Sequence, residues 1–222
     1  MCFSASASFI ASGGLAALGG VSFVSAKKKD KILAVIPIMF SIQQFCEGIQ
    51  WLYLNSGSSS SIFGYLFLFF AFILWPIYVP SMVFILDKSE RKILGWFVLA
   101  GTAVAIYFTV ILMMGPMEVQ KVNSCVTYNF NFPFQNYVVI AYLVAVVGSL
   151  SISSINIFRY FGIVVGFLGL VAWFFFALAF TSVWCFFAAV VSLMFYFYIR
   201  YKRRVNKLLA VVDEKVKTVG RK

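Results

Sequence analysis

Polar residues interrupt the apolar runs of this chain at regular intervals, and those intervals set its architecture. Uncharged stretches cover residues 9–26, 32–54, 62–86, 93–114, 137–154, 161–179 and 182–199, except for one acid in the second. Each has about 18–25 residues, enough for a helix to cross a hydrocarbon layer ~30 Å thick. Short polar segments separate them: KKKDK at 27–31, NSGSSSS at 55–61 and DKSERK at 87–92. One longer connection, 115–136, reads as a loop. It contains the run YNFNFPFQNY, whose aromatics are expected at headgroup level. The pattern predicts an all-α integral membrane protein with seven transmembrane helices. Residues 1–199 form one transmembrane domain, and 200–222 form a basic tail that continues the last helix.

Individual residues refine this reading. The first run is rich in Gly, Ala and Ser, which let helix backbones approach closely, so it is expected to pack inside the bundle. Pro37 is placed to kink the second helix. Trp75-Pro76 and Pro80 should bend or locally unwind the third, because each proline removes a backbone donor. A tight turn near Phe180-Thr181 separates the last two helices.

Composition and charge exclude several classes. A hydrophobic content of 63% rules out an ordinary soluble domain. The net charge of +11 lies in patches that flank apolar runs, which fits topology and anionic-lipid contact and excludes nucleic acid as a partner. With seven spans, all but Lys121 of the 18 Lys and Arg fall on one side. The positive-inside rule then puts the N-terminus outside and the C-terminus in the cytoplasm of a plasma or inner membrane. A single crossing over 161–199 would put the nine-charge tail outside, so the charge bias favours two. MCFSASAS at the start has no basic n-region, and no signal cleavage is expected. Histidine is absent, which removes histidine metal ligation and histidine-based nucleophile triads. Cys2, Cys46, Cys125 and Cys185 form no C-x-x-C pair. No nucleotide-binding or hydrolase motif is present, and no cofactor is implied.

The candidate chemistry lies in FSIQQFCEGIQW, residues 40–51. At helical spacing Gln43, Cys46, Glu47 and Gln50 share one face, flanked by Gln44 and Trp51. Glu47 is the only acidic or basic side chain within any apolar run. A charge there costs roughly 2.5–3.5 kcal/mol on insertion scales, so an intramembrane acid reads as a functional site. The competing reading is a structural knot, in which a hydrogen-bonded carboxyl locks helices together. Interhelical hydrogen bonds of ~0.6–2 kcal/mol do not easily offset a buried charge. In the predicted orientation Thr181, Trp184 and Cys185 join this set in the outer half, and the cytoplasmic half has no comparable polar set. Trp75, Trp173 and Trp184 are candidate pocket walls, with plain packing as the favoured alternative. Cys46, Cys185 and Glu47 offer soft ligands to a metal, but small-residue packing is the simpler reading and no metal site is assigned. Cys2 and Cys125 fall on the same outer side, where a disulfide is compatible with an oxidising compartment.

Four separated motifs carry a resemblance: MCFSASASF at the start, QQFCEGIQW in the second run, WPIYVP in the third and SVWCFFAAVVSL in the last. Together they resemble an uncharacterised family of small multispanning membrane proteins. That resemblance implies a seven-span fold and no activity or site residues. Function therefore rests on the residues alone. The leading expectation is a carrier of a small solute or ion, with Glu47 protonatable and Gln43, Gln44 and Gln50 as ligands. The alternatives are an intramembrane enzyme acting on a lipid or small apolar substrate, and a membrane receptor.

Overall fold

The computed structural model describes residues 4–122 and 125–219. It is a helical bundle made of α1 (Ala5–Ser25), α2 (Lys31–Asn55), α3 (Ser61–Leu68), α4 (Trp75–Leu86), α5 (Arg91–Met114), α6 (Gln135–Leu143), α7 (Ser149–Ile152), α8 (Asn156–Phe176), α9 (Phe180–Val191) and α10 (Leu193–Val219). Among the described residues, six helical stretches are long and apolar enough to cross a membrane: Ala5–Ser25, Lys28–Asn55, Ser61–Leu86, Arg91–Met114, Gln135–Ile152 and Asn156–Asn206. Their outward faces carry Val24, Trp96, Met113 and Phe174 largely uncovered. Such a surface is tolerable where lipid replaces water.

The last stretch is not one straight rod. Phe176 leaves helical geometry at φ −137° and ψ 39°, and Ala177–Ala179 form a tight 3-10 turn. Beyond it Phe180 meets Trp173, Trp184 packs on Gly169, and Phe195 reaches Phe158. Partners that recede symmetrically from a turn define an antiparallel hairpin, so α8 and the α9–α10 arm fold back on each other.

α1 does not sit inside the bundle as its composition suggested. A single stripe, Ser8, Ser12, Leu15, Gly19 and Ser22, is buried against α2, and the opposite face is exposed. Small residues allow close approach on one side only, and they do not enclose a helix. Ser12 and Ser41 exchange hydrogen bonds across this seam, each hydroxyl donating to the other's carbonyl at 2.9 and 2.8 Å. A Cβ at Gly19 would lie 2.8 Å from Ile38, and one at Gly48 would lie 2.8 Å from the Phe9 ring.

The proline-rich third stretch adjusts its hydrogen bonds locally. Phe69–Leu74 widen into a π-helical turn, in which the Trp75 N–H donates to the Phe70 carbonyl. Ala71 thereby loses its ordinary donor, and Pro76 has no N–H to supply in its place. The Tyr142 hydroxyl fills this role, donating to the Ala71 carbonyl at 2.8 Å. Pro80 likewise leaves the Pro76 carbonyl without its helical donor. α5 closes against that carbonyl at Gly101, where any Cβ would collide with it. Pro37, by contrast, is accommodated within a continuous α2.

Residues 115–136 are not simply a loop. Glu118–Val122 (β1) and Cys125–Asn129 (β2) pair antiparallel, with Val119 opposite Tyr128 and Lys121 opposite Val126. Val119, Cys125, Val126 and Thr127 are buried beneath this hairpin. The aromatic run after it packs inward: Phe130 and Phe132 meet Phe72 and Phe108 on the bundle. The bundle end thus covers part of their apolar area, while Phe134 and Tyr137 of the same run stay exposed.

The opposite end also departs from expectation. Asp87, 1% exposed, accepts from the Ser153 hydroxyl at 2.7 Å, the Ser154 N–H at 2.6 Å, the Ser154 hydroxyl at 2.8 Å and the Ser89 N–H at 3.0 Å. This polar cluster lies in the half where none was expected. Its four donors come from the turns around it, so it ties the α4 end to the α7–α8 turn. Asp30 pairs with Lys202 at 2.7 Å, fastening α10 to the α1–α2 turn.

Candidate functional site

Glu47 projects from α2 into the bundle and is 2% exposed; Gln43 and Gln44 are fully buried beside it. The helical spacing seen in the sequence does bring these side chains to one region. The Ser182 hydroxyl, at the start of α9, donates to Glu47 Oε1. The Gln44 amide Nε2 donates to Glu47 Oε2 across a long 3.4 Å. Trp75 Nε1 donates to Gln43 Oε1 at 2.8 Å while its ring stacks on Phe40 at 4.0 Å. The cluster therefore joins α2, α4 and α9.

Several polar atoms here have no protein partner: Gln44 Oε1, Trp51 Nε1 and the Tyr128 hydroxyl are buried and unpaired, while the Gln43 amide has only the Cys185 sulfur to donate to. Unmade hydrogen bonds on buried groups are costly, so they mark a place where water or a ligand has something to bind. The Gln44 amide is also chemically two-sided. Its NH2 serves a carboxylate; rotated by half a turn, its oxygen would accept from a protonated carboxyl. The arrangement can thus hold Glu47 in either protonation state with little movement.

Other expected site residues play different parts. Gln50 is fully buried, and with its amide oriented to suit its neighbours it donates to the Ser60 carbonyl at 2.8 Å and accepts from the Ser60 N–H at 3.3 Å. It thereby closes the turn into α3. Trp51 packs under the β-hairpin with Phe67 and Val126, and Lys121 Nζ lies 5.5 Å above its ring. Trp184 Nε1 donates to the Val165 carbonyl at 2.9 Å, stapling the α8–α9 hairpin. Cys46 and Cys185 are buried free thiols. Among the described residues no three Cys, Asp or Glu side chains gather as a metal site. Cys125 is buried and is not a free thiol, whereas Cys2 lies outside the described residues.

Two contributors were not foreseen. Ser182 is only the first residue of the last apolar run in the sequence, and the hairpin fold brings it to Glu47. Tyr128 comes from β2, where the alternating sequence EVQKV and CVTYN carried an unread strand signal. Its ring stacks on Phe67 at 4.7 Å. Burial holds its phenol well above the usual range, and the acidic groups of Glu47, Cys185 and Cys46 nearby push the same way.

Beside this cluster lies a cavity of about 540 Å³ at the hairpin end. Tyr128, Thr181, Trp184 and Cys185 line it, together with aromatic residues of the bundle and hairpin. Glu47, Gln43, Gln44 and Gln50 do not line it; Tyr128 and Cys185, which do, lie close enough to Glu47 to feel its charge. A second, apolar void of about 40 Å³ lies deeper, against Phe40, Trp75, Met82 and Phe161, and shares Tyr142, Trp184 and Cys185 with the first.

No curated protein and no solved structure matches the chain. A family profile matches residues 1–210, nearly the whole length that holds the bundle and its cavity, and the chain belongs to that family, described as a family of unknown function (DUF6629).

Proposed function

We propose that this is a multi-pass integral membrane protein with seven crossings, its hairpin end outside and its basic end in the cytoplasm, and that it carries a small solute bound first in the outer cavity. The observation that supports the reading best is the cavity of about 540 Å³ set against the incompletely paired Glu47 cluster. Its size falls within the roughly 300–1,000 Å³ of small-molecule sites. The deeper void, sharing three wall residues with it, continues toward the basic end and supplies a direction for passage. Glu47, with Gln43 and Gln44, is the protonatable group whose state would change the wall formed by Tyr128 and Cys185. Basic residues from Arg200 onward, each contributing about 1 kcal/mol against anionic headgroups, hold the tail at the inner leaflet. A Cys2–Cys125 disulfide belongs to the same outer end.

A receptor role is the second reading. It is favoured by the narrowness of the inner void, about 40 Å³, which leaves a site with one wide end. An enzymatic role is less well supported, because the only intramembrane acid does not face the cavity.

Thr181, half-buried on the cavity wall, gives a reporter position for this proposal. In Thr181→Cys protein reconstituted in vesicles of known orientation, a small charged methanethiosulfonate added from the hairpin side should modify the introduced thiol much faster than the buried Cys46, as read by mass spectrometry. Equal rates at the two thiols, or modification of Thr181→Cys only from the basic side, would remove the outer cavity as an entry site.

A further inference from the structure

We infer that the outer cavity is built for a lipophilic organic cation, a quaternary ammonium or phosphonium carrying apolar arms. The inference rests on the cavity reading above and names the class of ligand it takes.

Three features of the wall point to it. Nine of its 21 lining residues are aromatic, among them Phe72, Phe108, Tyr128, Phe132, Trp173 and Trp184. Ring faces carry partial negative charge and attract cations, most strongly at tryptophan. The only charged side chain among the lining residues is the carboxylate of Glu118, and no lysine or arginine joins them, although the protein carries a net charge of +11. Lys121, three residues from Glu118, is turned away: its Nζ bonds to Asn55 Oδ1 at 3.0 Å and lies over the Trp51 ring. The remaining polar wall groups include Asn129, Asn131, Gln135 and Thr181, all of which offer oxygen acceptors.

These features discriminate between ligands. A small hydrated cation would leave most of an aromatic cavity of this size unfilled. An organic anion would face ring π-clouds and a carboxylate. A neutral apolar molecule would match the rings but make no use of Glu118. A bulky cation with delocalised or shielded charge satisfies the rings and the carboxylate together, and its weak hydration lowers the desolvation penalty. Glu118 is held at the site by the Gln120 amide, whose Nε2 donates to Oε2 at 3.0 Å.

Tetraphenylphosphonium and tetraphenylborate have nearly the same shape and opposite charge, so they separate charge recognition from apolar filling. Each is added to the reconstituted Thr181→Cys protein, and modification of the introduced cavity thiol is followed with the buried Cys46 as the internal reference. Saturating tetraphenylphosphonium should slow modification at position 181 by about tenfold, tetraphenylborate should leave it nearly unchanged, and Glu118→Gln in the same background should raise the concentration of cation needed by about fivefold. Equal protection by both ions, protection by the borate alone, protection by neither, or an unaltered cation requirement in Glu118→Gln overturns the inference while leaving the cavity standing. If Thr181→Cys is modified no faster than Cys46 in the absence of either ion, the cavity reading itself falls and takes this inference with it.

Discussion

At the scale of single residues the question is whether Glu47 is a working acid or a helix lock, and its partners allow a test. Ser182 and Gln44 both donate to it, from α9 and from its own helix. Glu47→Gln keeps the shape and one acceptor oxygen, so Ser182 stays paired and the bundle should lose little stability. Glu47→Leu leaves the Ser182 hydroxyl and Gln44 amide without a partner, at about 1–3 kcal/mol for each buried group. A carrier that exchanges protons at Glu47 should therefore keep its melting temperature and lose its flux in Glu47→Gln, and lose both in Glu47→Leu. Full transport or binding in Glu47→Gln, with only a stability loss in Glu47→Leu, would make the residue a lock. The Gln43, Cys46, Glu47 and Gln50 face, with Gln44 at its flank, was legible in the sequence because helical periodicity is local. The partners of that face were not. Ser182 lies 135 positions away and Tyr128 is on another element, and no spacing rule links them to α2. Gln50 shows the converse limit, since its helical register was right and its role at Ser60 depended on where the next helix began.

At the scale of elements, breaks in regular structure are explained by where orphaned backbone groups find partners. The π-helical turn before Pro76 exposes the Ala71 carbonyl, and a tyrosine from α6 takes it. The prolines announced a disturbance in the sequence but gave no indication of which neighbour would complete it. The β-hairpin was missed for a related reason: its alternation spans only a few residues per strand inside a connection that looked polar and irregular. Asp87 was read as part of a charged turn, yet it is the buried tie between the end of α4 and the α7–α8 turn. Desolvation would raise its pKa, but donors from Ser153, Ser154 and Ser89 outweigh that, and the net shift is downward. A carboxylate whose folded pKa is depressed stabilises the fold above its unfolded pKa of ~3.9, and that stability is lost as pH falls through the folded value. Asp87→Ala should thus lower stability by about 1–3 kcal/mol at neutral pH by stranding buried donors. The gap in melting temperature between the two proteins should narrow as pH drops below about 4. A gap that widens on acidification would contradict the hydrogen-bonded carboxylate described here.

At the scale of the whole molecule, the arrangement of turns decides how often the chain crosses the membrane. If residues 156–206 formed one straight helix, they would extend ~77 Å, more than twice the ~30 Å hydrocarbon layer. The fold-back at Ala177–Ala179 divides this length into two arms. α8, with 21 residues, is by itself long enough to cross. Contacts at the two ends agree with this division. Asp30 with Lys202, and Asp87 with Ser153 and Ser154, gather at one end; Asn55 with Lys121, and Tyr107 with Pro133, gather at the other. Among the described residues, Lys27–Lys31, Lys88, Arg91, Lys92 and Arg159 belong to the turns of the first end and Lys121 to the other, and the positive-inside rule makes the cytoplasmic first end of our proposal the arrangement to test. A reporter fused after Lys222 should consequently be active only in the cytoplasm. A cysteine introduced at the exposed Ser59, between α2 and α3, should react with an impermeant maleimide added from outside. The two readouts fail differently. An external C-terminus with an external Ser59→Cys would mean that the α8 and α9–α10 arms do not both cross, leaving six spans. An external C-terminus with a buried or internal Ser59→Cys would mean that the whole bundle is inverted, and the cavity at the hairpin end would then open to the cytoplasm.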